Sequence, residues 1–271
     1  MTVIDTLKSV VERVPMLQKP AYAAFTAALK IKYASLGAVY RTTGLLPHRL
    51  SDRGQDRWVI DEVFRGKENG FFVELGAADG FCDSNTFVLE KQFGWQGLCI
   101  EPNPKLFARM TSHYKRKCTC VPLAVDAESG MREFLLDGQR SGLLVAEADF
   151  SSHQRASAVK AARREGRAEL VETLSLAAIF DRYAAPPTID YFSFDVEGAE
   201  TRILRNFPFD RYKFLALTIE RPTAELNHLL FQNGYHFVRN SLYDSFYIHR
   251  DLPNFGEIKR RPFEQLPPKL F

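Results

Sequence analysis

The run from Phe71 to Gly80, with the sequence FFVELGAADG, constrains the fold of this chain more than any other segment. Its first residues are mostly apolar, as expected of a parallel strand that is buried on both faces. Two glycines then stand four residues apart, which permits a tight backbone turn where the strand ends. A second apolar strand follows about 25 residues later and ends in Glu101. This pairing predicts a ligand of adenosine type across the carboxyl ends of two neighbouring strands.

Beyond residue 70, apolar segments of strand length alternate with helical segments. The predicted strands cover residues 71–75, 97–101, 119–125, 189–195 and 213–220, and the predicted helices lie near 84–93, 104–114, 175–184, 199–205 and 223–233. Residues 131–136 form a further strand or an irregular segment. This alternation predicts an α/β fold with a mainly parallel sheet and helices on both faces. Two last strands, 235–239 and 245–249, are too close together for a helical crossover, so we expect an antiparallel hairpin.

The chain is expected to contain three parts: an N-terminal helical extension (1–66), a main domain (67–252) and a proline-rich tail (253–271). In the extension, apolar residues near the start recur at helical spacing, and Pro15 and Pro20 should interrupt that helix before a second one begins. A short helix should follow over residues 56–64.

An insertion over residues 140–170 interrupts the alternation of strands and helices. Its basic part, residues 154–167, is rich in alanine and therefore a good helix former. A solvated helix and a mobile flap over the substrate are both compatible with this composition.

Composition excludes several classes of protein. A net charge of +3 on 271 residues does not indicate nucleic-acid binding. No apolar run approaches the roughly 20 residues of a membrane-spanning helix, and early charged residues argue against a secretory signal. Composition does not exclude a weak peripheral contact of the first helix with a membrane. The four cysteines lack the spacing of a zinc site and indicate buried thiols, so we expect a reduced, cytoplasmic protein.

The glycine turn lacks the G-x-G-x-x-G spacing that binds the pyrophosphate of nicotinamide cofactors. The acids Glu74 and Asp79 would repel a pyrophosphate, but they favour a ligand that carries an ammonium and a sulfonium. Glu101, which precedes Pro102, is placed to accept hydrogen bonds from both hydroxyls of a ribose. The sequence therefore indicates S-adenosylmethionine rather than NAD.

Acidic residues end several of the predicted strands. Asp195 ends a strand that should lie at the centre of the sheet, and Glu197 follows it in the segment DVEGAE. A helix N-cap and a first-turn acid would account for two carboxylates of that segment without any chemistry. Glu220 ends the next strand. Four predicted strands therefore have acids at one edge of the sheet, namely Glu74, Glu101, Asp195 and Glu220. No histidine-rich spacing accompanies this edge, and we expect no metal.

Several segments resemble the FkbM family of methyltransferases. They are FVELGAADG, SNTFVLE, GWQGLCIEPNP, the Ser141-Gly142 pair, DYFSFDVEGAE, and Gly234-Tyr235 with Asp244. The resemblance covers about residues 70–250 and keeps the order of the family's motifs. It implies S-adenosylmethionine as cofactor, a doubly wound, seven-stranded Rossmann-like fold, and O-methylation of a hydroxyl, often on a sugar or polyketide-type product.

The expected cofactor-binding residues are Glu74, Gly76, Ala77, Asp79, Gly80, Asn85, Glu101, Pro102, Asp126 and Asp195. By the resemblance, Asp126 lies where the family places a residue beside the adenine, and Asp195 and Glu197 line the methionine end and the substrate. Ala78 departs from the pattern, because many methyltransferases of this fold have glycine there. Alanine is small enough that we expect the cofactor to fit.

A sugar hydroxyl is a poor nucleophile at neutral pH, so a general base should assist. The candidates are Asp195, Glu197, Glu220 and His249. The expected acceptor is a small molecule or a glycan. Two other functions stay open: a non-catalytic interaction module, which the acids at the strand ends disfavour, and a nucleotide-dependent oxidoreductase, which the glycine spacing and the terminal hairpin disfavour.

Overall fold

The computed structural model describes residues 15–138, 141–144 and 160–267. They divide into two compact units, one ending at Pro47 and the other beginning at His48. The first unit contains the helix Pro15–Thr43. The helix predicted upstream of Pro15 lies outside the described residues. Within the described ranges, no helix is long and apolar enough to cross a membrane.

Pro20 lies inside the helix Pro15–Thr43, so the interruption expected there is wrong. A proline removes one backbone donor from the helical ladder. The alanine-rich sequence that follows has a strong helix propensity, which offsets this loss.

The described part of the second unit contains eleven strands. They are β1 (Phe71–Leu75), β2 (Gln96–Ile100), β3 (Thr119–Val121), β4 (Ala124–Val125), β5 (Gly130–Leu135), β6 (Gly142–Leu143), β7 (Ala168–Leu174), β8 (Thr188–Phe194), β9 (Lys213–Glu220), β10 (Tyr235–Ser241) and β11 (Asp244–His249). Seven of them form the main sheet in the order β10-β11-β9-β8-β1-β2-β3. Strand β11 is antiparallel to β9 and β10, and the pairs among β9, β8, β1, β2 and β3 are parallel. The predicted seven-stranded, mainly parallel sheet with a C-terminal hairpin is confirmed.

A second sheet has the order β4-β7-β5-β6. The single strand predicted over residues 119–125 is wrong, because β3 ends at Val121 in the main sheet and β4 begins at Ala124 in the second. Pro122 stands between them and has no N–H group to donate to a strand ladder. The described ends of the predicted insertion supply β6 and the first three residues of β7 to this sheet. Residues 145–159, with most of the expected flap, lie outside the described residues.

Short helices connect the strands. They cover Gln55–Arg57, Phe87–Phe93, Pro104–Ala108, Leu176–Arg182, Glu200–Leu204 and Ala224–Gln232, with π-helical turns over Trp58–Val63 and Arg109–His113 and a 3₁₀ turn over Phe255–Glu257. Trp58 packs edge-on against Phe246 of β11, with ring centroids 4.9 Å apart. Residues 48–66 therefore belong to the second unit, which begins before the boundary at residue 66 that we expected.

An aromatic cluster fixes one face of the main sheet. The rings of Phe192 on β8 and Phe214 on β9 lie 4.5 Å apart, and Phe207 stacks on Phe214 at 5.4 Å. Phe192 and Phe214 are fully buried, and burial of one such side chain stabilises a fold by roughly 1.5–3 kcal/mol. This packing stabilises the main sheet, whose central strands have the candidate site at their carboxyl ends.

Candidate active site

A cleft opens where the carboxyl ends of β1, β2 and β8 meet the second sheet. One wall consists of Leu75, Gly76, Glu101, Pro102, residues 195–197 and Ala199, and the other consists of residues 123–125, Phe134, Gly138 and residues 141–143. The space between the walls amounts to about 560 Å³, a figure that includes open solvent at the mouth of the cleft. The strand order reverses between β1 and β8, where doubly wound sheets bind their ligands.

The glycines of the turn after β1 are required by close backbone approaches. Gly76 has φ of +81°, and a Cβ atom there would lie 1.8 Å from the carbonyl oxygen of Asp195. A Cβ atom on Gly80 would lie 2.6 Å from Cγ of Met110. Ala78 has φ of +48°, a left-handed conformation that glycine adopts more easily. The turn is therefore constrained by its protein neighbours, a reason that the sequence alone did not reveal.

Glu101 is buried at the end of β2 and lines the cleft. Its Oε2 atom accepts a hydrogen bond from the backbone N–H of Ala78 at 2.9 Å, and its Oε1 atom accepts one from Asn103 at 2.7 Å. Burial raises the pKa of Glu101 to about 7, against the opposing effect of these two N–H groups. A carboxylate has about four lone-pair sites, so two remain for a diol.

Glu74 supports the loop after the turn and is absent from the described lining of the cleft. It is buried, and it accepts hydrogen bonds from Ser84 Oγ, the backbone N–H of Asn85 and Thr86 Oγ1. It also pairs with Arg116, whose Nη1 atom lies 3.4 Å from Oε2. The structure gives Glu74 a role in building the loop.

Arg116 was missed in the sequence, where it stands among lysines in a segment that looks solvent-exposed. Its side chain is fully buried and donates to Glu90 Oε2 at 2.8 Å, to the carbonyl oxygen of Gly80 at 3.0 Å and to Thr86 Oγ1 at 2.8 Å. Although burial opposes ionisation of Glu90, Arg116 contributes to holding the pKa of that carboxyl at about 2. Arg116 ties the cofactor turn to the helix Phe87–Phe93.

Four other expected cofactor residues, Ala77, Asp79, Gly80 and Asn85, are also absent from the described lining. Asp79 accepts from the backbone N–H groups of residues 81 and 82 and pairs with Arg109 at 2.9 Å. Asn85 donates from Nδ2 to Ser193 Oγ at 2.7 Å. These contacts shape the turn and the loop that follows it.

Asp195 directly follows β8, and its side chain is exposed at the cleft. Desolvation by the surrounding protein, followed by the negative charges of Glu220 and Glu197, raises the pKa of Asp195 well above its usual range. The turn after Asp195 is held by Glu200, whose Oε1 atom accepts from the backbone N–H of Val196 at 2.9 Å. Glu197 lines the cleft with φ of +59°.

The direction of β11 determines which of its end residues, Asp244 or His249, lies at the carboxyl edge of the sheet. Because β11 is antiparallel, its first residue, Asp244, lies at the carboxyl edge opposite Glu220, and its last residue, His249, lies at the other edge of the sheet. The Nε2 atom of His249 lies 3.2 Å from the carbonyl oxygen of Asn233, and its Nδ1 atom accepts from the N–H of Asp251. The structure therefore does not bring His249 to the cleft. Asp244, which the strand direction could have indicated, lies at the carboxyl edge with Glu220, and neither belongs to the described lining of the cleft.

Asp126 follows β4 and is fully buried. It pairs with Arg132 and Arg202 and is absent from the described lining of the cleft, where the family resemblance implied a residue beside the adenine.

The cysteines are free. Cys99 is buried, but Cys82, Cys118 and Cys120 are only half-buried, so the expectation of buried thiols was too broad. Across the described ranges, no group of three or more His, Cys, Asp or Glu residues is arranged to hold a metal ion.

The sequence matches the model of a family described as the methyltransferase FkbM domain over residues 74–242. The chain belongs to the FkbM methyltransferase family. The matched span includes the turn after β1, Glu101, Asp195 and Glu220. The protein is therefore an S-adenosylmethionine-dependent methyltransferase. No curated protein matches the chain.

Solved methyltransferase structures are also similar to this chain. TrmK of M. capricolum in complex with S-adenosylhomocysteine is 12% identical with a TM-score of 0.39, and the match covers 75% of this chain and 70% of that one. The N-terminal domain of human METTL16 in complex with S-adenosylhomocysteine is 10% identical with a TM-score of 0.43, covering 80% and 79%. Both similarities are weak, and the family assignment does not depend on them.

The charges around the cleft fit the FkbM cofactor. The described lining contains the acids Glu101, Asp195 and Glu197 but no lysine or arginine. Such a site favours a ligand with an ammonium and a sulfonium and disfavours a pyrophosphate. Glu101 has lone pairs left for a ribose diol, and Asp195 and Glu197 are the other two acids on the same wall of the cleft.

Proposed function

We propose that this FkbM methyltransferase methylates a hydroxyl oxygen of a sugar, glycan or related small molecule, with Asp195 as the general base. The observation that carries the proposal is the position of Asp195, at the end of a central strand and exposed at the cofactor cleft. S-adenosylmethionine supplies an electrophilic methyl group, so the protein mainly has to align the acceptor, exclude water and remove a proton.

The electrostatic surroundings of Asp195 suit it to accept a proton. A general base works best when its pKa lies near the operating pH, and an ordinary aspartate is too weak a base for that. Glu220 and Asp244 stand next to each other at the same edge, and the charge of Glu220 contributes to raising the pKa of Asp195. In this proposal Glu220 and Asp244 act through Asp195, and Glu197 is the second candidate for the base.

The same acids support an uncharged or cationic acceptor. Carboxylates accept hydrogen bonds from the hydroxyl groups of a carbohydrate, and they repel phosphate or carboxylate groups. Asp195, Glu197, Glu220 and Asp244 gather at this edge of the sheet. A neutral sugar or an amino sugar fits it better than a sugar phosphate or a uronic acid. A cytoplasmic location, which the free thiols support, is part of the same proposal.

The experiment is a transfer assay with cofactor labelled in its methyl group. Neutral sugars, amino sugars, sugar phosphates and lipid-linked glycans serve as acceptors, and NMR of the product identifies the methylated atom. We expect an O-methyl product from a neutral or amino sugar. Methyl transfer to nitrogen or carbon, or a strict requirement for an anionic acceptor, would contradict the proposal.

A further inference from the structure

We propose that Asp126 is a positioning residue that sets the spacing between the two walls of the cofactor cleft without touching the cofactor. This inference rests on the cofactor occupying the cleft described above. It differs from the family resemblance, which places a residue at this position beside the adenine.

The contacts of Asp126 account for both of its carboxylate oxygens. Oδ1 accepts from Arg202 Nε at 2.5 Å and from the backbone N–H of Ala127 at 2.8 Å. Oδ2 accepts from Arg132 Nε at 2.9 Å and from Arg202 Nη2 at 3.2 Å. Two guanidinium groups thus converge on one fully buried carboxylate.

The partners of Asp126 come from opposite walls. Arg202 lies on the helix Glu200–Leu204, which begins directly after the turn that carries Asp195. Arg132 lies on β5, the strand that presents Phe134 to the cleft. Asp126 itself follows Val125, another residue of that second wall. The ion-pair cluster therefore joins the wall of the second sheet to the wall of the main sheet.

The cluster is suited to hold a fixed distance. Bidentate contacts between arginine and a carboxylate constrain orientation as well as separation. Although burial opposes ionisation, the hydrogen bonds from Arg202, Ala127 and Arg132 hold the pKa of Asp126 below its ordinary value. The pairing thus persists at neutral pH.

The test measures binding of S-adenosylhomocysteine by calorimetry, together with the melting temperature of each variant. The variants are Asp126→Asn, Arg202→Gln and the combination of both. Glu225→Gln is the matched control, because it breaks an ion pair with Arg205 (Nε to Oε1, 2.7 Å) just beyond the same helix and away from the cleft. A second ligand, S-inosylhomocysteine, lacks the amino group of adenine.

We expect Asp126→Asn and Arg202→Gln each to weaken binding by about ten- to hundredfold, or roughly 1.4–2.8 kcal/mol, because the two walls of the cleft are no longer held at a fixed separation. The double variant should bind no worse than the weaker single variant, Glu225→Gln should bind normally, and each single variant should lose affinity for both ligands by the same factor.

Three outcomes would overturn the inference. One is unchanged affinity in variants whose melting temperature falls. A second is normal binding by Arg202→Gln, which decides the matter alone if Asp126→Asn does not fold. The third is a loss of affinity for S-adenosylhomocysteine, but not for S-inosylhomocysteine, in Asp126→Asn. This result would indicate that Asp126 contacts the adenine directly. A wild-type protein that does not bind S-adenosylhomocysteine contradicts the cofactor assignment instead.

Discussion

Asp244 stands directly opposite Glu220 in the antiparallel pair of β11 with β9, at the edge of the sheet where the cofactor cleft opens. Burial, followed by the negative charge of Glu220, raises the pKa of Asp244 to about 8. With this pKa, the carboxyl group of Asp244 retains its proton near neutral pH. Asp244 is one of the acidic groups that act electrostatically on Asp195, the proposed base.

The retained proton makes stability depend on pH. Asp244 binds its proton more tightly in the folded state (pKa of about 8) than in the unfolded state (3.8), so its stabilisation is complete at low pH and is lost as the pH rises through about 8. Asp244→Asn should therefore reduce the fall in unfolding free energy between about pH 4 and pH 8. Urea denaturation across this range checks the prediction. Asp210→Asn, at an exposed acid, is the control, and equal slopes in wild type and Asp244→Asn would refute it.

Glu101→Ala should weaken binding of S-adenosylhomocysteine by one or more orders of magnitude. The loss of charge-assisted hydrogen bonds costs roughly 1.5–3 kcal/mol, and the backbone N–H of Ala78 also loses its acceptor. Calorimetry with S-adenosylhomocysteine measures the change. Glu101→Gln, which keeps the shape but not the charge, should fall between wild type and Glu101→Ala. Unchanged affinity in both variants would remove Glu101 from the cofactor site.

Ala78→Gly should stabilise the protein. A non-glycine residue in the left-handed region costs roughly 1–2 kcal/mol, and glycine loses part of that gain through the entropy of the unfolded chain. We expect a net increase of about 0.5–1 kcal/mol in the free energy of unfolding. Ala77→Gly, at a buried neighbour without a positive φ, should destabilise instead. A loss of stability in both variants would show that the turn is not strained at residue 78.

Arg116→Met should destabilise the fold by about 3–5 kcal/mol, because it leaves the buried carboxylates of Glu74 and Glu90 without their shared cation. Chemical denaturation measures this loss. Arg109→Met is the control: its partner Asp79 is buried, but the arginine is half-exposed, so the effect should be smaller. Equal effects of the two substitutions would contradict a special role for Arg116.

Much of the fold could be predicted because its signals are local. The apolar runs of β1 and β9 are bounded by turn residues, and both strands were predicted with the observed limits. Strand direction then places Glu101 and Asp195 at one edge, since parallel strands share their carboxyl ends. These two acids are brought to the same cleft.

Features that depend on long-range pairing were not predictable in this way. The two-residue strand β4 is too short to leave a local signal, and its partner β7 lies far away in sequence. Arg116 finds two carboxylates about 26 and 42 residues upstream, and no local pattern marks it. His249 was predicted as a candidate base because it ends a strand. Since β11 is antiparallel to β9, that end lies at the edge of the sheet away from Glu220.

The most direct test of the central claim compares cofactor binding and methyl transfer in Asp195→Asn. We expect the variant to bind S-adenosylhomocysteine within a few-fold of wild type, because Glu101 and the turn after β1 remain, and to transfer the methyl group about 10²–10⁴-fold more slowly. Glu197→Gln serves as the parallel control and should retain more activity. Near-normal transfer by Asp195→Asn, with an acceptor that the wild type methylates on oxygen, would contradict the account.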